Sequence, residues 1–498
     1  MFERIKNLFR KGGAQLGIVQ SLQTVLDHPK IAMTIDEYER IQQNISFYQA
    51  KFPDVKYLDS NGKDENRPYR AINVSKVVSR RLAKLVFNEG CTIKTDEDVA
   101  DEFLSDVFNS NKFRKNFGEE LEAGYAIGGL VLRPYFDGGS KSIKLAYCQA
   151  NSFYPLQSNT NDISEGAIVT VTQEIESKKT IFYTLIEFHE WINGVYTITN
   201  ELYKSEKAGE VGINIPLGYL EKYRDLEPVT QLPTVTRPLF VYIKLAGKNN
   251  SNLSSPLGAG VIDNAKQQLV DINDKYDQFM WEIEKSRTKI MASDHFFKTI
   301  YGSDGQPVQQ FSSHTDIYQK LKTDEPFIDT FAPSLNSAEY IASINFILRI
   351  VEMQTGFSSG TFSFDGQSVK TATEIISENS ETYSTRSDNV LIVEEALKEL
   401  VQTIFELADI YDLFTGDHGD ISVDFDDGIF TSKESQLEYN NKAVVGQLMP
   451  RTEAIKRQFG LTDKEAVKWY DTIKAELQGL DVTELVVNNE TKEIGEEE

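Results

Sequence analysis

From Val261 to Ile290 the chain carries an apolar seam at 3-4-3-4 spacing: Ile262, Ala265, Leu269, Ile272, Tyr276, Phe279 and Ile283, with a break at Ser286 and a resumption at Ile290. The same spacing returns in Ile341, Ile344, Leu348 and Val351. So narrow a stripe fits a helix that meets another helix along one edge; a helix lying on a globular core carries a broader one. Two long helices bracketing a small insert predict a stalk that packs against copies of itself. The pattern therefore points to assembly before it points to chemistry.

The chain has 498 residues, of which 40% are hydrophobic, and a net charge of -24. That is roughly three domains by the usual length prior, with enough apolar material for real cores. So acidic a chain repels a phosphate backbone and should not wrap nucleic acid tightly, although it can surround DNA as a wall. Two separated cysteines, Cys91 and Cys148, argue against a disulfide scaffold or a zinc module. No apolar run approaches the ~18 residues of a membrane helix. Met1 to Lys11 reads as a short amphipathic helix with Phe2, Ile5, Leu8 and Phe9 on one side: an arm docked on protein, with membrane attachment as the alternative.

Along the chain, helices are expected at 34–50, with Thr34 and Glu37 in capping-box spacing, at Asn73 to Phe87, and over 98–129, ending in Gly128-Gly129. The second of these carries a basic row, Lys76, Arg80 and Lys84, which as a solvated face needs no partner and as a binding face asks for an anion. Short β-prone segments come next: Leu130 to Tyr135, Ser142 to Tyr147, Ala167 to Glu174, Thr180 to Trp191, Val195 to Leu202 and Leu239 to Leu245. Lys248 to Ser255 reads as a linker into a first stem helix at 257–291. Beyond it lie a mixed insert at 292–335 and a second stem helix at 336–356. After the loop Gly356 to Lys370, a long helix carries the heptad Val390, Val393, Leu397, Leu400, Ile404, Leu407 and Tyr411. A strand at Ile421 to Phe425, further helices and an acidic end, Asn488 to Glu498, complete the chain.

Catalytic patterns fail their context. The histidines at 28, 189, 295, 314 and 418 form no ligand pair, and neither standard phosphate-binding loop is present. Gly356-Phe357-Ser358-Ser359-Gly360 matches G-x-S-x-G, but that elbow needs a strand before its serine, and here a helix precedes it. Asp424, Asp426, Asp427 and Gly428 miss the calcium-loop spacing.

The order of parts resembles the portal proteins of tailed bacteriophages, in the long-tailed (siphophage-type) branch from phages of Gram-positive bacteria. The local strings are Asn73-Val74-Ser75 leading to Leu85-Val86-Phe87-Asn88-Glu89; Gly128-Gly129-Leu130-Val131-Leu132-Arg133-Pro134-Tyr135; Arg237-Pro238-Leu239-Phe240 through Asn249-Asn250 to Ser255-Pro256-Leu257-Gly258; Lys370-Thr371-Ala372-Thr373-Glu374; and Asp424-Phe425-Asp426-Asp427. Together they span about residues 35–475. The resemblance implies an α+β, multidomain portal-type fold. Its parts would be an N-terminal arm and wing (1–256), stem helices (257–291 and 336–356) around a small α/β clip (292–335), a tunnel loop (357–370), a wing helix and strand (371–430), and a helical crown with an acidic tail (431–498).

It also implies a homo-oligomeric ring, twelve subunits in the virion, assembled in the host cytoplasm and set at one capsid vertex as the channel for double-stranded DNA packaging and ejection. Implied partners are the terminase large subunit, a head-completion adaptor, and the major capsid protein with its scaffold; no cofactor, metal or membrane is implied. Ser358, Ser359, Thr361, Gln367, Ser368 and Lys370 would face DNA, with Phe357, Phe362 and Phe364 anchoring the loop. Ile262, Leu269, Ile272, Tyr276, Phe279, Ile283, Ile341, Ile344, Leu348 and Val351 would line the subunit interface, unless the seam closes on the partner helix of the same chain. A closed ring needs helices apolar toward a neighbour and polar toward the channel, which a seam provides. The alternatives are another self-assembling virion part, such as a tail or baseplate subunit, and a hydrolase using Ser358.

Overall fold

The computed structural model describes residues 21–58, 64–88, 91–159, 162–176, 178–286, 289–293, 298–301, 307–310, 318–321, 328–331, 334–363, 380–425, 433–459, 461 and 463–477. Within these the α-helices are α1 (Ile35–Gln49), α2 (Val74–Val86), α3 (Asp98–Ser110), α4 (Phe113–Ile127), α5 (Lys266–Lys285), α6 (Ser337–Gln354), α7 (Ser380–Ile410), α8 (Lys433–Val445), α9 (Arg451–Phe459) and α10 (Asp463–Leu477). The chain divides into two compact units. One comprises Met1–Tyr48, Lys76–Val261 and Asn379–Glu498, the other Gln49–Ser75 and Ile262–Glu378.

The first unit is built on a seven-stranded sheet whose centre is the antiparallel run Asp162–Glu176, Lys179–Ile192 and Val195–Ser205. Alternation sends Ile181, Tyr183 and Leu185 to one face, against Leu202, Leu217 and Leu220, and Ile186 and Phe188 to the other, against Val169 and Tyr203. Asn193 and Gly194 turn the second hairpin with φ of 52° and 79°, the positive pair that a two-residue turn matched to strand twist requires. A smaller sheet joins Leu130–Asp137 to Ser142–Gln149 and Val241–Ile243. The long helix α7 packs on this sheet, burying Val393, Leu397, Leu400, Ile404 and Leu407. Each such side chain contributes about 1.5–3 kcal/mol as an upper estimate.

Three expectations are revised. The single helix over 98–129 is two helices, because Lys112 takes a left-handed φ of 50° between α3 and α4. The first stem helix begins at Lys266 after a 3-10 turn (Asp263–Ala265) and ends at Lys285, well inside the expected 257–291. Its start is set by packing: a Cβ on Gly258 would lie 2.7 Å from the Gly128 oxygen, and one on Gly260 2.5 Å from the Ala126 oxygen. The backbone must run flush against the end of α4, where the Val261 N–H donates to the Tyr125 carbonyl, before a helix can begin. Ile290 does not resume the seam. It belongs to the strand Lys289–Ser293, which pairs parallel with Tyr318–Leu321 and antiparallel with Ile328–Phe331.

In the second unit those strands and the hairpin Lys298–Tyr301 with Pro307–Gln310 make up the described residues of the insert between α5 and α6. The hairpin Val55–Leu58 with Asp64–Arg67 also belongs to this unit.

Candidate functional site

The candidate site is the pair of helices α5 and α6, expected as the stem, with the first turn of chain beyond α6. The late turns of α5 meet the first turn of α6, where the Phe279 and Tyr340 rings lie 5.1 Å apart. A hydrogen bond from Tyr340 to Glu282 at the same place raises the tyrosine's pKa. Ile262, Leu269, Ile272, Ile344, Leu348 and Val351 are buried within the single chain, Tyr276 and Phe279 are half-buried, and Ile283 and Ile341 are exposed. The seam is thus largely closed by the two helices of one chain.

A second stripe on α6 is not closed. Phe346 is 64% exposed and Met353 69%, with Ile350 half-buried between them. These positions keep the same 3-4 spacing as the seam, offset from it by two residues, and place large apolar groups on the opposite side of the helix. Val270 on α5 is also exposed. Local periodicity alone could have shown this stripe, but the stronger seam masks it.

Residues 64–72 form a strap along α5, which sequence reading missed. Arg67 donates a bidentate pair to Asp277, at 2.6 Å and 2.5 Å, and its guanidinium sits 4.5 Å from the Trp281 ring centre. The Arg70 N–H adds a bond to the same carboxylate at 3.1 Å, and the Arg70 side chain reaches Glu284 at 2.8 Å. Tyr69 donates to Asp274, and the Ile72 N–H to the buried Asn273. The bond from Arg67 holds the Asp277 carboxyl below its ordinary range against the opposing effect of burial. The signal for the strap was complementary: cations at Arg67 and Arg70, and carboxylates one helical turn apart at Asp274 and Asp277. No local pattern links segments so far apart in sequence.

At the end of α6, Gly356 turns the chain with a φ of 74°. Glu352 is fully buried and organises the turn of chain beyond the helix. Its carboxylate accepts from the N–H groups of Gly360 (2.8 Å), Phe362 and Ser363 (3.1 Å), while its carbonyl accepts from Phe357 N–H at 2.8 Å. Phe357 is buried edge-on to Phe362, with ring centres 4.9 Å apart. Of the residues expected to face DNA, Ser358 is buried, Ser359 is exposed and Thr361 is half-buried. Gln367, Ser368 and Lys370, and the anchor Phe364, lie outside the described residues.

Catalytic and metal chemistry find no footing among the described residues. Ser358 comes after a helix, not a strand, so the elbow geometry is absent. Each described histidine has a carboxylate partner: His28 with Glu201, His189 with Glu187, and His418 with Asp409. No cluster of His, Cys, Asp or Glu among the described residues could hold a metal ion. Asp426, Asp427 and the expected arm at Met1 to Lys11 lie outside the described residues. No described helix is long and apolar enough to cross a membrane.

The profile of one family, phage portal protein, SPP1 Gp6-like, matches residues 27–479. The chain belongs to that family. That family is structural and is not a known enzyme family. No match is found among curated proteins. Among solved structures, this portal chain is similar to one described as the neck of an empty GTA particle computed with C6 symmetry, at 11% identity, 77% coverage of this chain, 90% of that chain and a TM-score of 0.43. A second, from the virion of a native gene transfer agent (GTA) particle, has 10% identity, 91% and 98% coverage and a TM-score of 0.43. A third, the neck of a native GTA particle computed with C12 symmetry, has 10% identity, 79% and 95% coverage and a TM-score of 0.40. The family match alone carries the assignment.

Proposed function

We propose that this portal protein forms a closed ring of twelve subunits at one capsid vertex of a long-tailed phage of Gram-positive bacteria. Double-stranded DNA would be packaged and ejected through its lumen. The part from α5 to α6 would be the stem, the insert at 292–335 the clip that meets the terminase large subunit and later a head-completion adaptor, and the loop from Phe357 the segment nearest DNA. Ser359 and Thr361 remain its DNA-facing candidates among the described residues.

The observation that carries the ring is the unpartnered stripe of Phe346, Ile350 and Met353 on a stem whose other seam is already closed. Covering side chains that are two-thirds exposed stabilises a contact by roughly 1–2 kcal/mol each. Repeated around a closed ring, such a head-to-tail interface leaves no stripe exposed. The subunit interface is therefore proposed on this stripe and on Ile283 and Ile341, with Leu269, Ile272, Ile344, Leu348 and Val351 holding the stem pair together. Mass photometry of the purified chain tests the reading. It predicts one closed species at twelve times the 56.4 kDa subunit. A monomer, or a ladder of open polymers as a tail or baseplate subunit would give, contradicts it.

A further inference from the structure

We propose that the acidic end of the chain, from Glu484 onward, docks in a cavity with an aromatic floor and a basic rim, between the strand Thr92–Thr95 and the helices α3 and α4. Leu485, Val486 and Val487 lie on the floor, and Glu484 and Glu490 pair with Lys112 and Lys115. The cavity lies wholly within the first unit.

The cavity has a volume of about 400 Å³, within the range of small-ligand pockets. Phe87, Phe108 and Phe113 form its floor. Phe108 stacks on Phe113 at 4.5 Å, and Phe87 meets Phe113 edge-on at 6.3 Å. Phe87 and Phe113 are buried, but Phe108 is only half-buried, which leaves apolar surface facing the cavity. The rim is cationic: Lys112, Arg114 and Lys115 are exposed, with Lys94 half-buried among the lining residues. One acid, Asp101, lines the same cavity, and it accepts the Thr95 N–H at 3.0 Å. Arg114 has an acid in reach, since it and Asp424 both act on the Cys91 thiol. Lys112 and Lys115 make no side-chain ion pair or hydrogen bond among the described residues, Glu119 one turn beyond Lys115 included. Lys112 also precedes α4 without a side-chain capping bond, so the positive end of that helix faces the same rim.

Charge and reach select the occupant. The helix α10 starts at this rim: Glu465 meets Lys94 at 3.7 Å, and Lys464 reaches the Asp96 carbonyl at 3.3 Å and Glu97 at 3.6 Å. Its 15 residues span about 22 Å. Beyond it, Gln478 to Glu498 lie outside the described residues, and their sequence holds seven acids against one base, Lys492. At about 3.3 Å per extended residue, roughly seven residues bring the chain back along α10, which sets Glu484 at the rim. The next three residues are the apolar run Leu485-Val486-Val487, and Glu490 follows. An apolar run with a carboxylate on each side matches an aromatic floor with a lysine on its rim. The lysine stems cover part of the apolar run while their ammonium groups stay in water beside the carboxylates.

Carbodiimide coupling of the full-length protein joins a lysine to a carboxylate only where the two are in contact. Peptide mass spectrometry should find Lys112 or Lys115 joined to Glu484 or Glu490. Mixing isotope-labelled with unlabelled subunits should place each link within one chain. The variant Lys112→Glu/Lys115→Glu should lose the links and speed amide exchange at Leu485, Val486 and Val487 about tenfold, which is what two exposed ion pairs supply. Adding Glu484→Lys/Glu490→Lys should restore slow exchange by reversing both pairs. Coupling of Lys112 and Lys115 to no carboxylate beyond Leu477, exchange left unchanged in the double variant, or a charge swap that restores nothing overturns the proposal. Links that join two chains overturn it as well, by giving the cavity to a second copy.

Discussion

The sheet-built unit and the stem unit solve the same burial problem differently. In the sheet, Tyr183, Phe188, Tyr196 and Tyr203 are fully enclosed, and the buried polar groups among them are matched within the chain: His189 bonds Glu187 at 2.7 Å and Tyr196 at 2.8 Å, and Tyr196 accepts from the Leu239 N–H. In the stem, one seam closes on itself and a second stays open at Phe346 and Met353. The sheet-built unit also exposes apolar side chains, such as Val99, Val171 and Ile175, but those of the stem lie in one row along one helix, the kind of contiguous patch that marks an interaction surface. The C-terminal helices, which belong to the first unit, likewise expose Tyr439, Val445, Leu448, Phe459 and Trp469, while Ala443, Ala466 and Ala475 are buried.

The contrast can be broken most forcefully at the strap. Arg67→Met leaves the Asp277 carboxylate buried without its cation, which costs on the order of 3–5 kcal/mol. Chemical denaturation should lower the midpoint for the stem unit and spare the sheet unit; equal loss in both would dissolve the distinction between them. Within the closed seam, Leu348→Ala should cost about 2–4 kcal/mol by leaving a cavity, again read as an unfolding midpoint. Glu352→Gln should cost about 1–3 kcal/mol by weakening three charge-assisted bonds. Its signature is local: amide hydrogen exchange should accelerate at Gly360, Phe362 and Ser363 and stay slow in the middle of α5.

The sheet unit answers to pH instead. Burial depresses the pKa of His189, with Glu187 opposing that shift. A depressed pKa means stability is present above the ordinary value of 6.5 and is lost as pH falls below it. Glu187 is raised by burial, but Arg133 and His189 outweigh this and hold it low, so a further loss begins below 4.5. Thermal unfolding of the sheet unit should therefore shift downward between pH 7 and pH 5, and His189→Gln should flatten that dependence. The smallest stability effect belongs to the open stripe. Phe346→Ser/Met353→Ser should change subunit stability by no more than about 0.5 kcal/mol, as surface substitutions do, while abolishing the ring in sedimentation.

The features legible in the sequence were those that local rules govern. Gly128 ends α4 at a φ of 117°, the heptad of α7 is its buried face from Val393 to Leu407 though not at Val390 or Tyr411, and the two seam helices appear in the expected order. Helix lengths were less legible, because Gly258 and Gly260 shorten α5 through backbone contacts that no periodicity reveals. The strap was invisible for the same reason: Arg67 and Asp277 meet only after folding. Whether the seam meets a neighbour or its own partner helix stayed open in the sequence because the seam and the stripe share one spacing, and only burial in the folded chain tells them apart.

Cryo-electron microscopy of the assembled ring tests the central claim most directly. The account predicts that Phe346 and Met353 touch a neighbouring subunit, that Leu269 and Leu348 contact only their own chain, and that the lumen admits a duplex about 20 Å wide. A ring in which Leu269 and Leu348 pack across the subunit boundary while Phe346 and Met353 stand in solvent would contradict it.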